Sequence, residues 1–134
     1  YNDILQERRY FMAWELKSDR PIYIQLQDYI KLGIISGRYL PGDKLPSVRD
    51  LAEEAAVNPN TMQKALAELE RLGMVYTQRT SGRFITEDVK MIEELKRSIA
   101  KEHITQFFEA MKKIGFSIQE TIQMIEKEAK ELKI

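Results

Sequence analysis

Apolar side chains recur along this chain at helical spacing in some stretches and as short continuous runs in others, and the changes of spacing divide it into elements. Between Pro21 and Gly37, Ile22, Leu26, Tyr29 and Gly33 fall on one helical face, and Tyr23, Ile30 and Ile34 widen it. Leu51, Ala52 and Ala55 supply a second, smaller face, and Met62, Ala65, Leu66, Leu69 and Leu72 a third. Residues 74–77 and 83–86, MVYT and RFIT, then read as two short strands around a turn from Gln78 to Gly82. Helical spacing returns from Val89 to about Lys113 through Val89, Ile92, Leu95, Ile99, Phe107, Phe108 and Met111. After Gly115 a last stretch carries Ile118, Ile122, Ile125, Ala129 and Leu132 in alternating steps of four and three.

Polar residues punctuate these faces where helices must begin and end. Pro21 suits a first helical turn, where its missing N–H has no partner to lose, and Gly37 suits a left-handed stop. Ser47 with Asp50 has capping-box spacing, with aspartate in place of the usual glutamate or glutamine. Asn58 is a preferred N-cap and places Pro59 at the first helical position. Ser117 with Glu120 repeats the box before the last helix.

The helix opened by Asn58 has an uneven exposed face. Counting about 100° per residue from Asn60, Gln63, Lys64, Ala67 and Arg71 lie near Asn60, opposite the apolar positions, and Thr61 lies between. Its first two turns thus offer Asn, Gln and Lys, which can pair with base edges and phosphates, while Glu68 and Glu70 come later and on the flanks. An ordinary solvated face is the plainer alternative. Arg49 stands in the first turn of the preceding helix, where the helix dipole disfavours a cation by roughly 0.3–1 kcal/mol. Either an external anion or a surface ion pair with Asp50 or Glu53 would compensate.

Composition narrows the field. The 134 residues are 43% hydrophobic and 31% charged, enough for one compact domain and an appendage. There are 21 basic and 21 acidic residues, so no global field draws nucleic acid to the chain. Residues 57–86 nevertheless hold Lys64, Arg71, Arg79 and Arg83 against Glu68 and Glu70. No apolar run approaches the roughly 20 residues of a membrane span, and no secretory signal pattern occurs. With no cysteine and one histidine, His103, thiolate chemistry and a Cys-ligated zinc are excluded, and no catalytic constellation stands out. Gly37, Gly42 and Lys44 faintly echo a phosphate loop, but no strand precedes them and no Ser or Thr follows the lysine. Residues 1–11 show no clear element, and Met12 reads equally as an initiator or an internal methionine.

Helix, capped helix, capped helix and basic hairpin is the order of a winged helix-turn-helix. The run PGDKLPSVRDLAEEAAVNPNTMQKALAELERLGMVYTQRTSGRFI closely resembles the DNA-binding domain of the GntR family of bacterial transcription regulators. The resemblance covers residues 21–86, and the PIYIQLQDYI opening with a short two-helix tail is similar to the YtrA subfamily. It implies DNA contact by Arg49, by Asn58, Asn60, Thr61 and Gln63 at the head of the recognition helix, and by Arg79, Ser81, Gly82 and Arg83 in the wing. It further implies a homodimer on a pseudo-palindromic operator and genes that often adjoin ABC-transporter operons. The wing departs from the common Arg-Gly-Lys-Gly, reading Arg79-Thr80-Ser81-Gly82.

The resulting expectation is a mainly α chain with a small β-hairpin, a winged helix-turn-helix followed by a C-terminal two-helix dimerisation hairpin. Residues 1–19 would be an N-terminal segment, 20–87 the DNA-binding domain, and 88–134 the dimerisation and effector region. Ser47, Pro59 and Lys64 complete the DNA-facing set, and Leu95, Ile99, Phe107, Phe108, Met111, Ile118, Ile122 and Ile125 the dimer seam. The partners expected are double-stranded operator DNA, a second copy, and a small-molecule effector, with no metal, cofactor or membrane. Function would be that of a cytoplasmic repressor of a transport or drug-response operon. A winged domain that binds protein instead of DNA is the alternative.

Overall fold

The computed structural model describes residues 14–132. The elements are α1 (Ile22–Ile35), α2 (Val48–Ala55), α3 (Pro59–Arg71), β1 (Val75–Gln78), β2 (Gly82–Ile85), α4 (Val89–Ile114) and α5 (Ile118–Leu132). Packing divides the chain into two compact units, one ending at Glu93 and the other beginning at Glu94. Met12 lies outside the described residues.

The first unit holds the core. Leu26, Ile30 and Ile34 of α1 recur every four residues and are buried against Met62, Leu66 and Leu69 of α3, with Leu51 and Ala55 of α2 and Val75 and Ile85 of the strands. Two helices depart in part from the expected faces. Leu72 is 40% exposed because α3 ends at Arg71 and Leu72 is already the cap, carried off the buried stripe. Gln25 and Gln27 of α1 are buried, whereas Ile22, Tyr23 and Tyr29 are half-buried. Gln25 accepts from Lys17 N–H at 2.7 Å and donates to the carbonyls of Lys17 and Arg20 at 2.7 and 2.9 Å, so it ties the preceding segment to the helix. A buried amide with three such bonds is compatible with the core.

Helix ends follow local chemistry. Ser47 Oγ accepts from Asp50 N–H at 3.1 Å, and Asn58 Oδ1 accepts from Asn60 N–H at 2.8 Å. The box at α5 is reciprocal, with Ser117 Oγ accepting from Glu120 N–H and Glu120 Oε1 accepting from Ser117 N–H, both at 3.1 Å. Asp88 caps α4 by accepting from Met91 N–H at 3.0 Å, a cap not foreseen from the pattern. Gly115 stops α4 at φ +106°, and Phe116 N–H reaches back to the Met111 carbonyl.

The wing is an antiparallel hairpin paired from Val75↔Ile85 to Gln78↔Gly82, closed by Arg79, Thr80 and Ser81. Its other edge is not open. Residues 42–45 run along β2, with Ile85 N–H donating to Asp43 O at 2.8 Å and Leu45 N–H to Arg83 O at 2.9 Å. The turn at Gly42 thus leads into an isolated antiparallel bridge between Lys44 and Phe84, which fixes Lys44 beside the wing.

In the second unit Thr121 is the buried residue of α5, its hydroxyl donating to the Ser117 carbonyl at 2.8 Å. The apolar residues of both helices remain partly or largely exposed.

Candidate nucleic-acid interface

The head of α3 is presented as its pattern predicts. Asn58, Pro59, Asn60, Gln63 and Lys64 are exposed, Thr61 is half-buried, and Met62, Ala65, Leu66 and Leu69 are buried behind them. The Asn58 cap uses its side-chain oxygen on Asn60 N–H and its carbonyl on Thr61 and Met62 N–H. That fixes the helix start and leaves the Asn60 and Gln63 amides, one turn apart, free of protein hydrogen bonds. An amide side chain presented in this way can donate and accept together, the pairing an adenine edge requires.

The approach between α2 and α3 is set by Ala56. It adopts φ +55°, and Val57 N–H bonds to the Ala52 carbonyl at 2.9 Å, closing α2 in a left-handed stop without glycine. The turn turns the start of α3 outward while Leu51 and Ala55 hold α2 to the core.

Beside α2 lies an open groove walled by the wing. Ser47, Ser81, Gly82 and Arg83 from the expected set line it together, and Lys44 joins them. Lys44 was not anticipated, since its place beside the wing depends on the pairing of residues 42–45 with β2. The available signal was local: a lysine between a Pro-Gly-Asp turn and a capping serine. Arg83 lies in the wing as expected, pairing with Thr77 one step behind the tip; it is half-buried, and its Nε is buried without a hydrogen-bond partner. Arg79 does sit in the exposed turn. Tyr76 and Phe84 stack on the opposite face of the hairpin, 5.7 Å between centroids, and stiffen it.

Arg49 is exposed, and no carboxylate pairs with it among the described residues. The internal ion pair that would have explained its unfavourable first-turn position does not form. Lys64 is turned toward α1, with Nζ 3.8 Å from the Tyr23 ring centroid. Arg71 is committed within α3, its Nε donating to Glu68 at 3.0 and 3.1 Å. These hydrogen bonds hold the Glu68 carboxyl below its ordinary range, helped by the charges of Arg71 and Lys31, and raise Arg71 correspondingly.

The expected seam residues lie in α4 and α5. Leu95, Ile99, Phe108 and Met111 are half-buried, and Phe107, Ile118, Ile122 and Ile125 are 44%, 63%, 43% and 42% exposed. Phe107 and Phe108 tilt against each other at 6.0 Å yet serve different hollows, Phe107 beside Met111 and Ile125, Phe108 beside Lys112 and Phe116. His103 is exposed. Among the described residues no cluster of three metal-ligating side chains occurs, and no helix is long and apolar enough to cross a membrane.

Comparison with known proteins agrees with this geometry. The family model for bacterial regulatory proteins, gntR family, matches residues 22–85. An HTH-type transcriptional regulator of Bacillus subtilis, YhcF, is 41% identical over 111 residues, covering 83% of this chain and 92% of that protein. The HTH-type transcriptional repressor YtrA of the same organism is 44% identical over 91 residues, 67% of this chain and 70% of its own. Among solved structures, a GntR family transcriptional regulator from Listeria monocytogenes superposes with a TM-score of 0.78 at 42% identity, over 84% of this chain and 98% of the other. The AraR DNA-binding domain in complex with operator ORX1 superposes at 0.51 and 26% identity, over 54% of this chain and 93% of its own.

Proposed function

The chain belongs to the gntR family of bacterial regulatory proteins, DNA-binding transcriptional regulators and not enzymes, and from that premise we propose that it acts in the cytoplasm as a homodimeric repressor. Residues 20–87 would read DNA, and residues 88–134 would pair two copies and receive a small-molecule effector. The observation that carries this reading is the head of α3, where Asn60 and Gln63 stand exposed and uncommitted one turn apart on a helix fixed by its own cap.

Each part has a physical task. Asn60, Thr61 and Gln63 would meet base edges in the major groove, with Asn58 and Pro59 setting the angle of entry. Arg49, Ser47, Arg79, Ser81, Gly82 and Arg83 would hold register on the phosphates, because the start of α2 combines free backbone N–H groups with a neighbouring guanidinium. Lys44 joins them from its bridge to β2. A neutral chain has little long-range attraction for DNA, so two copies on two half-sites would supply the working affinity. The exposed apolar residues of α4 and α5 support that pairing. Repression is supported by the named activity of YtrA, and a transport or drug-response operon is the target we propose.

Footprinting on the protein's own promoter region tests the reading. Protection of two half-sites about one helical turn apart is expected. Equal affinity for promoter and scrambled DNA at physiological salt would overturn it, and would favour a winged domain that binds protein.

A further inference from the structure

Lys64 and Glu68 stand four apart on α3, a spacing at which lysine and glutamate commonly pair. They do not pair here. Arg71 takes the Glu68 carboxylate with a forked set of hydrogen bonds, its Nε reaching both oxygens at 3.0 and 3.1 Å. The Lys64 ammonium instead lies 3.8 Å above the centre of the Tyr23 ring. Among the described residues no carboxylate is within ion-pair distance of Lys64.

A ring face attracts an ammonium without neutralising it and leaves its N–H donors open on the side away from the ring. A carboxylate would cancel the charge and occupy those donors. Lys64 is exposed one turn beyond Asn60, on the α1 side of α3, whereas Ser47, Lys44 and Arg83 lie on the side of α2 and the wing. A helix entering the major groove has a phosphate strand along each flank, so both sides need cationic groups.

We propose that Tyr23 and Arg71 are positioning residues that keep the Lys64 ammonium uncommitted and aimed at a DNA phosphate. Tyr23 fixes its direction, and Arg71 removes the acid that would otherwise quench it. The proposal rests on the DNA-binding reading above.

The test is the slope of log affinity against log salt for the full chain on its promoter fragment, since each lost phosphate contact lowers the slope by about one. Lys64→Ala should lower it by about one per subunit. Arg71→Ala should lower it nearly as far, because Glu68 is released to pair with Lys64. Adding Glu68→Gln to Arg71→Ala should restore the wild-type slope. In a Lys64→Ala background, Arg71→Ala should have no further effect. Tyr23→Phe keeps the ring and should keep the slope, while Tyr23→Leu should lower it. Should Tyr23→Leu fail to fold, the pair of Arg71 variants carries the test alone. A wild-type slope for Arg71→Ala, or an equal fall with Lys64 already removed, would overturn the proposal. Failure of the wild-type protein to prefer its promoter would strike the DNA reading itself, a separate outcome.

Discussion

Lys44 crosses Gly82 so closely that a side-chain carbon at Gly82 would stand 3.2 Å from Lys44 Cε. The two residues are 38 positions apart and meet because residues 42–45 pair with β2. Gly82 also adopts φ +109°, a conformation L side chains rarely take. Gly82→Ala should therefore strain the backbone and push Lys44 aside, at a cost of about 1–3 kcal/mol in stability. Lys44→Ala should spare stability but weaken all DNA sequences alike and reduce the salt slope by about one per subunit. Thermal melts beside salt titrations separate the two effects.

Base reading and backbone holding should respond differently. Gln63→Ala removes a bidentate group from the head of α3 and should cost about 1–3 kcal/mol at particular base pairs, relaxing preference there. Arg79→Ala, in the exposed turn of the wing, should weaken operator and scrambled DNA equally. Affinities measured over a set of single-base operator variants would distinguish them. A uniform loss from both would remove Gln63 from the reading role.

The left-handed stop at Ala56 invites stabilisation. A β-carbon at φ +55° is unfavourable, and glycine accepts that conformation without the clash. Ala56→Gly should raise stability by about 0.5–1 kcal/mol, less the greater freedom of glycine in the unfolded chain. Urea unfolding at one fixed protein concentration measures it. A loss of stability would mean that the stop depends on the alanine methyl.

What was legible in the sequence is what short-range chemistry decides. The caps at Ser47, Asn58 and Ser117 act within three residues of their partners, so residue type and spacing suffice to place them. The buried stripe of α3 followed from period alone, apart from Leu72 just beyond its last turn. The contents of the groove were less legible. Lys44 reaches it through a strand pairing, Arg83 turns inward through the register of a hairpin, and Lys64 meets Tyr23 across two helices. Ala56 hid a turn because its residue type carries no left-handed preference. Gln25 was buried by bonds to a segment whose path no periodicity describes.

Ile118, Ile122 and Ile125 are spaced four and three apart along α5, and all are more than 40% exposed. Exposed isoleucines at that spacing gain by facing a second copy, at about 25 cal/mol for each Å² removed from water. A carboxylate placed among them would have to be desolvated without a partner, so Ile122→Glu or Ile125→Glu should convert the protein to a monomer in light scattering at micromolar concentration. Glu126→Gln, an exposed neighbour on the same helix, serves as the control and should remain dimeric. The winged unit has its own core around Leu26, Met62 and Leu69, so the isoleucine variants should keep its fold by circular dichroism. They should still lose most operator affinity, since each monomer then holds one half-site with a weakly charged face. A variant that stays dimeric would move the seam away from these residues, and a monomer with undiminished affinity would remove the need for a second copy.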